Sequence, residues 1–121
     1  MQADAADIEA ESLSGRPVDL VHLSKYTLGS RSLEAELLGI FRTQAGIYLD
    51  RLEKAAAHDK EWRDAAHSLK GSARALGAWT LGQHAEDAEK LRPEEGRPAA
   101  LDLIRGEIAI VTQFIDALTQ D

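Results

Sequence analysis

The sequence predicts an all-α protein, an up-and-down antiparallel four-helix bundle with a short extra helix at its N-terminal side. Three observations predict it. Apolar residues recur at spacings of three and four along most of the chain, and no window alternates as a strand would. Aromatic residues make up only 5% of the 121 residues, while Leu, Ala, Glu and Asp are plentiful, a mix that favours helices over sheets. The breaks between the periodic segments are short, as antiparallel neighbours require. A chain of this length suits one domain around one core.

Residues 1–16 are acidic and small, with little to bury, and read as a flexible tail ahead of a domain spanning 17–121. Pro17 opens a short helix from Val18 to about Thr27, to which Val18, Leu20, Val21, Leu23 and Leu28 give apolar surface. Gly29 and Ser30 end it, and Ser30 suits the N-cap of the next helix. That helix runs from Arg31 to about His58, with Leu33, Leu37, Ile40, Phe41, Tyr48, Leu52 and Ala55 as its stripe. Asp59 is placed to cap the third long segment, in which Trp62, Ala66, Leu69, Ala73 and Leu76 step by four and three. Gly77 fits a left-handed position just past its end. A further helix, about Ala78 to Leu91, has Leu81, Ala85, Ala88 and Leu91 on one face. Arg92 to Pro98 is a loop, and Pro98 suits the first turn of a last helix that reaches about Leu118. Its stripe is Leu101, Ile104, Ile108, Val111, Ile115 and Leu118.

Composition narrows the function. The absence of cysteine excludes disulfides and thiolate metal sites, and a reducing cytoplasm is the simplest home. The N-terminal residues have no basic start and no apolar run, so no signal peptide is expected. The longest strongly apolar run, Ile108 to Val111, is far short of the roughly 20 residues that a membrane span needs. A net charge of −7 argues against nucleic acid, which calls for a basic excess.

Against that acidic background one helical face is basic. With His67 as the origin and about 100° per residue, Lys70 lies near −60°, Gly71 near +40° and Arg74 near −20°. Lys60 and Arg63 fall in the same sector within the two preceding turns, and Asp64 is the only acid close by. The core stripe centres about 130° away, so His67 points to solvent on the flank of the bundle. A neutral imidazole is a competent nucleophile near neutral pH, with an unperturbed pKa of about 6.5. Once phosphorylated it needs a cation in reach, and Lys70 is on the adjacent position of the same face. Gly71 costs the helix roughly 1 kcal/mol against alanine. It also removes a side chain from the spot beside the imidazole, so another protein can close over His67.

At His67, Leu69, Lys70, Gly71 and Gly77 the chain resembles the histidine-containing phosphotransfer (HPt) domain family, whose motif is His-x-Leu-Lys-Gly with a glycine six residues on. The resemblance extends to the helix order from Val18 to Leu118. It implies a phosphorelay intermediate that takes a phosphoryl group from an aspartyl phosphate on one receiver domain and passes it to the aspartate of another. His67 would be the phosphorylation site, Lys70 the cation on the phosphate side and Gly71 the clearance position, with Leu69 and Gly77 structural. The donor would be the receiver of a hybrid histidine kinase and the acceptor a response regulator. The receiver would bring Mg²⁺, and the chain would hold no cofactor or ATP site of its own. A monomer without nucleic-acid or membrane partners is expected. Arg74, Arg63 and Lys60 are assigned to the phosphate and partner face from helix geometry alone.

The remaining candidates read as structural. His58 is placed at a helix C-terminus, His84 beside an apolar face and His22 in the small front helix, none with comparable surroundings. Trp62 and Trp79 read as core or bundle-end packing, and the acids Glu86, Asp87 and Glu89 match no metal site. Two other functions fit a histidine on a bundle. The dimerisation part of a sensor kinase normally has an acidic residue after the histidine, where Ser68 stands here, and Gly-rich ATP boxes. An adaptor that binds a receiver without transfer would not need the His67–Lys70 pair.

Overall fold

A computed structural model describes residues 16–119. Among these residues are five helices: α1 (Leu20–Thr27), α2 (Arg31–Lys54), α3 (Asp59–Leu76), α4 (Trp79–Glu89) and α5 (Arg97–Thr119). There is no strand among the described residues. Apart from Arg16, the acidic tail expected over 1–16 lies outside them.

The long helices form a helical bundle. α2 packs on α3 and α5, α4 packs on the same two, and α1 lies over α2 and α3. The core is the expected stripe of α3 (Trp62, Ala66, Leu69, Ala73, Leu76) meeting Leu81, Ala85 and Ala88 of α4 and Leu101, Ile104, Ile108, Val111 and Ile115 of α5. Trp62 is fully buried, and its indole N–H donates to the Ala88 carbonyl at 2.7 Å, which ties α3 to α4 and satisfies its one polar atom.

The stripe of α2 is rotated from the expected one. Leu38, Phe41, Ala45 and Leu52 are buried, whereas Leu33 and Ile40 are 37% and 48% exposed. α2 packs against α3 and α5 at once, so its buried direction falls between the two. Leu118, expected at the end of the α5 stripe, is likewise exposed.

Helix ends differ from expectation where a side chain or a distant carbonyl takes the backbone group. α1 begins at Leu20 rather than Val18 because the Asp19 N–H bonds to the Gly77 carbonyl at 2.8 Å, and the Asp19 carboxylate caps the His22 N–H at 3.1 Å. Ser30 caps α2 as expected, accepting from the Leu33 N–H. α2 stops at Lys54, four residues early, because Arg97 takes the Ala56 carbonyl that a continuing helix would need. α3 has His58 at its N-cap, with no side-chain bond, so His58 opens a helix rather than closing one. Asp59 is the first residue inside α3, where its charge favours the helix N-terminus, and it is bonded to Arg97. α4 ends at Glu89 rather than Leu91, whose carbonyl Arg97 also takes.

α3 closes on Gly77 at φ +90°, with the Gly77 N–H on Arg74 O and the Ala78 N–H on Ala73 O, the paired bonds of a Schellman motif. A Cβ at Gly77 would stand 2.9 Å from the Asp19 carbonyl oxygen, so the position is closed by space as well as by conformation.

Candidate functional site

His67 stands at the middle of α3 with its side chain 68% exposed. Its position follows from the stripe: Ala66 and Leu69 are buried, which turns residue 67 outward. The ring is nevertheless held. Nδ1 lies 3.1 Å from Oε2 of Glu89, the last residue of α4. Lys70, one turn on and only 19% exposed, places Nζ 2.8 Å from the other oxygen of the same carboxylate. That contact does not meet hydrogen-bond geometry, so it is an ion pair rather than a directed hydrogen bond. Nε2 of His67 has no hydrogen-bond partner among the described residues.

The expectation that Asp64 is the only acid near the basic stripe is therefore corrected. α4 packs on α3 and brings two carboxylates to the same flank. Glu89 meets His67 and Lys70, and Glu86 meets Arg74 at 3.2 Å. Gly82, two turns before Glu89, makes room for the Arg74 stem, whose Cγ would be 3.0 Å from a Cβ there. Arg74 thus lies along α4. Lys60 is paired with Asp64 at 2.8 Å, and Arg63 makes no ion pair among the described residues. Of the residues assigned to the face, the structure gathers His67 and Lys70 around Glu89 and leaves Arg63 free to meet a partner.

Burial pushes the Glu89 carboxyl up, but the close contacts and charge of Lys70 and His67 outweigh it and hold the group below its ordinary range. The hydrogen bond and charge of Arg74 likewise lower Glu86. Both are ionised at neutral pH, so the flank is a lattice of matched charges rather than a bare basic stripe.

Sequence reasoning missed Glu86 and Glu89. The signal was present: Gly82, Glu86 and Glu89 repeat the four-and-three step one residue after the buried Leu81, Ala85 and Ala88. They therefore sit on the rim of the face that α4 turns to its neighbours, where Lys70 and Arg74 are spaced to meet them.

Gly71 faces open space, with nothing within 4 Å of where its Cβ would be. Packing inside the chain does not require a glycine there. Gly71→Ala and Gly71→Gln are therefore both expected to melt at or above the wild-type temperature, by up to about 1 kcal/mol for alanine. A clear loss of stability in the glutamine variant, read by thermal melts, would contradict this. Past Gly71 on the same flank is an apolar groove of about 440 Å³, lined by Tyr26 of α1, Leu37, Ile40 and Gln44 of α2 and Ala75 of α3. Ala75 is eight residues after His67, about 80° round the helix and roughly 12 Å along it. Gly71 lies between them on the helix and places no side chain there.

The other histidines are elsewhere. His22 packs edge-on between the rings of Tyr26 and Trp79, at 5.3 and 4.7 Å. The Trp79 indole donates to Asp19 at 3.0 Å, which makes it part of the bundle end. His84 is half-buried on α4.

A family model described as Hpt domain matches residues 36–120, well over half of the chain. No curated protein matches the chain, and no solved structure does.

Proposed function

Because the chain belongs to the Hpt domain family, which places it in phosphorelay signalling with receiver domains, we propose that it accepts a phosphoryl group on Nε2 of His67 and hands it on. The observation that carries the reading is the ring itself: Nδ1 is engaged by the Glu89 carboxylate, an acceptor, and Nε2 has no partner, so in the neutral ring Nε2 carries the lone pair. The Nε2 lone pair forms the N–P bond while the P–O bond to the donor aspartate breaks, and that bonding pair stays on the carboxylate. Onward transfer is the reverse, towards the aspartate of a second receiver. The donor is the receiver of a hybrid histidine kinase, and the acceptor is a response regulator.

Docking uses the groove and the Gly71 gap. Apolar contacts at Tyr26, Ile40 and Ala75 would seat the receiver, and the open space at Gly71 lets its aspartate approach His67. Lys70 is the cation nearest the incoming phosphoryl group. The chain is a phosphocarrier without its own ATP site, and Mg²⁺ comes with the receiver. Glu86 and Glu89 are each already taken by a cation, which supports that division of labour. The ring of packed long helices supports the up-and-down four-helix order. We place the protein as a cytoplasmic monomer that binds neither membrane nor nucleic acid. No helix among the described residues is long and apolar enough to cross a membrane, and the net charge is −7.

The test is incubation with a receiver domain carrying an aspartyl phosphate. Label should move to the protein, be lost in acid and persist in base, as a phosphoramidate does, and map to the peptide that holds His67. Incubation with ATP and Mg²⁺ alone should leave it unlabelled. Label that appears without a receiver, or on another peptide, would overturn the reading.

A further inference from the structure

The outer face of α5 is apolar and uncovered. Ala99, Leu103, Gly106, Ile110, Gln113 and Ala117 follow one another at alternating steps of four and three, and all are exposed, Leu103 at 57% and Ile110 at 49%. At about 100° per residue this seam is centred roughly 150° from the core stripe of the same helix. Its average step of about 3.5 residues is that of a seam that meets a second helix. Single exposed apolar residues are ordinary. Here, however, every charged residue of α5 lies off the seam. Gly106 stands in the middle of it, where glycine weakens a helix, and nothing lies within 4 Å of where its Cβ would be. Packing inside the chain does not require that glycine, whereas a helix laid on the seam would fill the gap.

The charges that border the seam are acids. Asp102 and Asp116 lie along one edge and Glu107 along the other. Arg105 turns away towards α2, where it meets Glu53 at 3.5 Å and holds Asp102 at 2.8 Å. Glu107 is half-buried and makes no ion pair among the described residues, and burial pushes its carboxyl up against the opposing charge of His84. Two copies of α5 would bring like charges together. In an antiparallel pair the Asp102 edge of one copy faces Asp116 of the other, and in a parallel pair it faces Glu107. The seam therefore calls for a different helix, one with cations at its edges.

We propose that the outer face of α5 docks an amphipathic helix of a partner protein, apolar along its centre and basic along both edges. A large apolar side chain of that helix fills the gap at Gly106, between Leu103 and Ile110, and its lysines or arginines meet Asp102, Glu107 and Asp116. α2 and α4 each pack on both α3 and α5, so α5 lies across the bundle from α3. His67 faces out from α3, and a partner held on α5 leaves the imidazole and the apolar groove open. The surface goes beyond the phosphocarrier reading and does not depend on it. It keeps the protein beside one partner, at a raised local concentration, while other molecules come and go at His67.

The experiment uses the full chain and a designed helical peptide of about 21 residues, three heptads, with Leu at both seam positions and Lys along both edges. The Lys edges also keep the peptide from pairing with itself. A control peptide carries Glu in place of Lys. The Lys peptide should bind, and ¹⁵N–¹H spectra at saturation should place the shifts on Leu103, Gly106, Ile110 and Ala117 while His67 and Ala75 stay unmoved. The Glu peptide should bind at least about tenfold more weakly. Gly106→Gln fills the gap and Ile110→Ser removes an apolar anchor, and neither alters the net charge of −7, so general attraction between unlike charges does not respond to them. Each variant should keep the wild-type helical spectrum and weaken the Lys peptide by about tenfold or more. No binding of the Lys peptide, equal binding of the two peptides, or equal binding of the Lys peptide to wild type and both variants overturns the inference. Shifts centred on His67 or on the groove do the same. So does a dimer of the chain in sedimentation that the Lys peptide fails to dissociate, since the occupant would then be a second copy.

Discussion

Arg97→Ala is expected to destabilise the fold by about 3–5 kcal/mol, the combined scale of two carbonyls left without donors and a large side chain removed from the interior. Arg97 is 2% exposed, yet its guanidinium is fully used. Nε and Nη2 donate to the Leu91 carbonyl at 3.1 and 2.8 Å, Nη1 to the Ala56 carbonyl at 2.7 Å, and Nη2 to Asp59 at 3.0 Å. The plane lies over the Trp62 ring, 4.8 Å from its centroid. The ion pair contributes little of the total, because Asp59 is 60% exposed and rehydrates when its partner goes. Most of the cost comes from the covered carbonyls left without donors, about 1–3 kcal/mol each. The rest is the void and lost cation–π contact over Trp62. Arg97→Met should recover only the packing share, and Arg97→Lys should fall short of wild type because a point charge cannot reach three acceptors in one plane. Urea denaturation of the three variants gives the order. An alanine variant within 1 kcal/mol of wild type would show that water replaces the guanidinium at both carbonyls.

His67→Gln is expected to abolish phosphoryl acceptance while leaving the melt unchanged to within about 0.5 kcal/mol, as for other exposed sites. The side chain is 68% exposed, and its one partner, Glu89, keeps Lys70. The glutamine amide has no basic lone pair, so no N–P bond can form, although the receiver can still dock. Loss of label with retained receiver binding, measured by titration calorimetry, separates chemistry from recognition. Transfer that survives in this variant would remove His67 from its role.

The residues that show how far a sequence can be read are those on one helix and those between two. His67, Lys70 and Gly71 share a helical face, so their spacing placed them together, and the α3 stripe placed that face outward. Glu89 reaches the same ring from 22 residues away. Its role depends on how α4 lies against α3, which no single-helix periodicity contains. The helix ends show the same limit. α2 and α4 ran short of expectation because Arg97 captures the carbonyls of Ala56 and Leu91, and in the sequence Arg97 looked like one more polar loop residue. Leu33 and Ile40 were misplaced because a helix with two neighbours buries the direction between them. The end signals that rest on local chemistry, Ser30 as a cap and Gly77 in the left-handed region, were legible because they need only a few adjacent residues.

The two glycines six residues apart, one on α3 and one just past its end, differ in what each would tolerate. At Gly71 a methyl group meets empty space, whereas at Gly77 it meets the backbone oxygen of Asp19 at φ +90°. In a library of variants selected only for folding, residue 71 should drift to alanine and polar residues, while residue 77 stays fixed. Selection for phosphoryl transfer should hold both, the first for its vacancy and the second because it anchors α1, whose Tyr26 forms one wall of the docking groove. One spacing in the sequence therefore records two separate selective pressures, one from a partner molecule and one from the chain's own backbone.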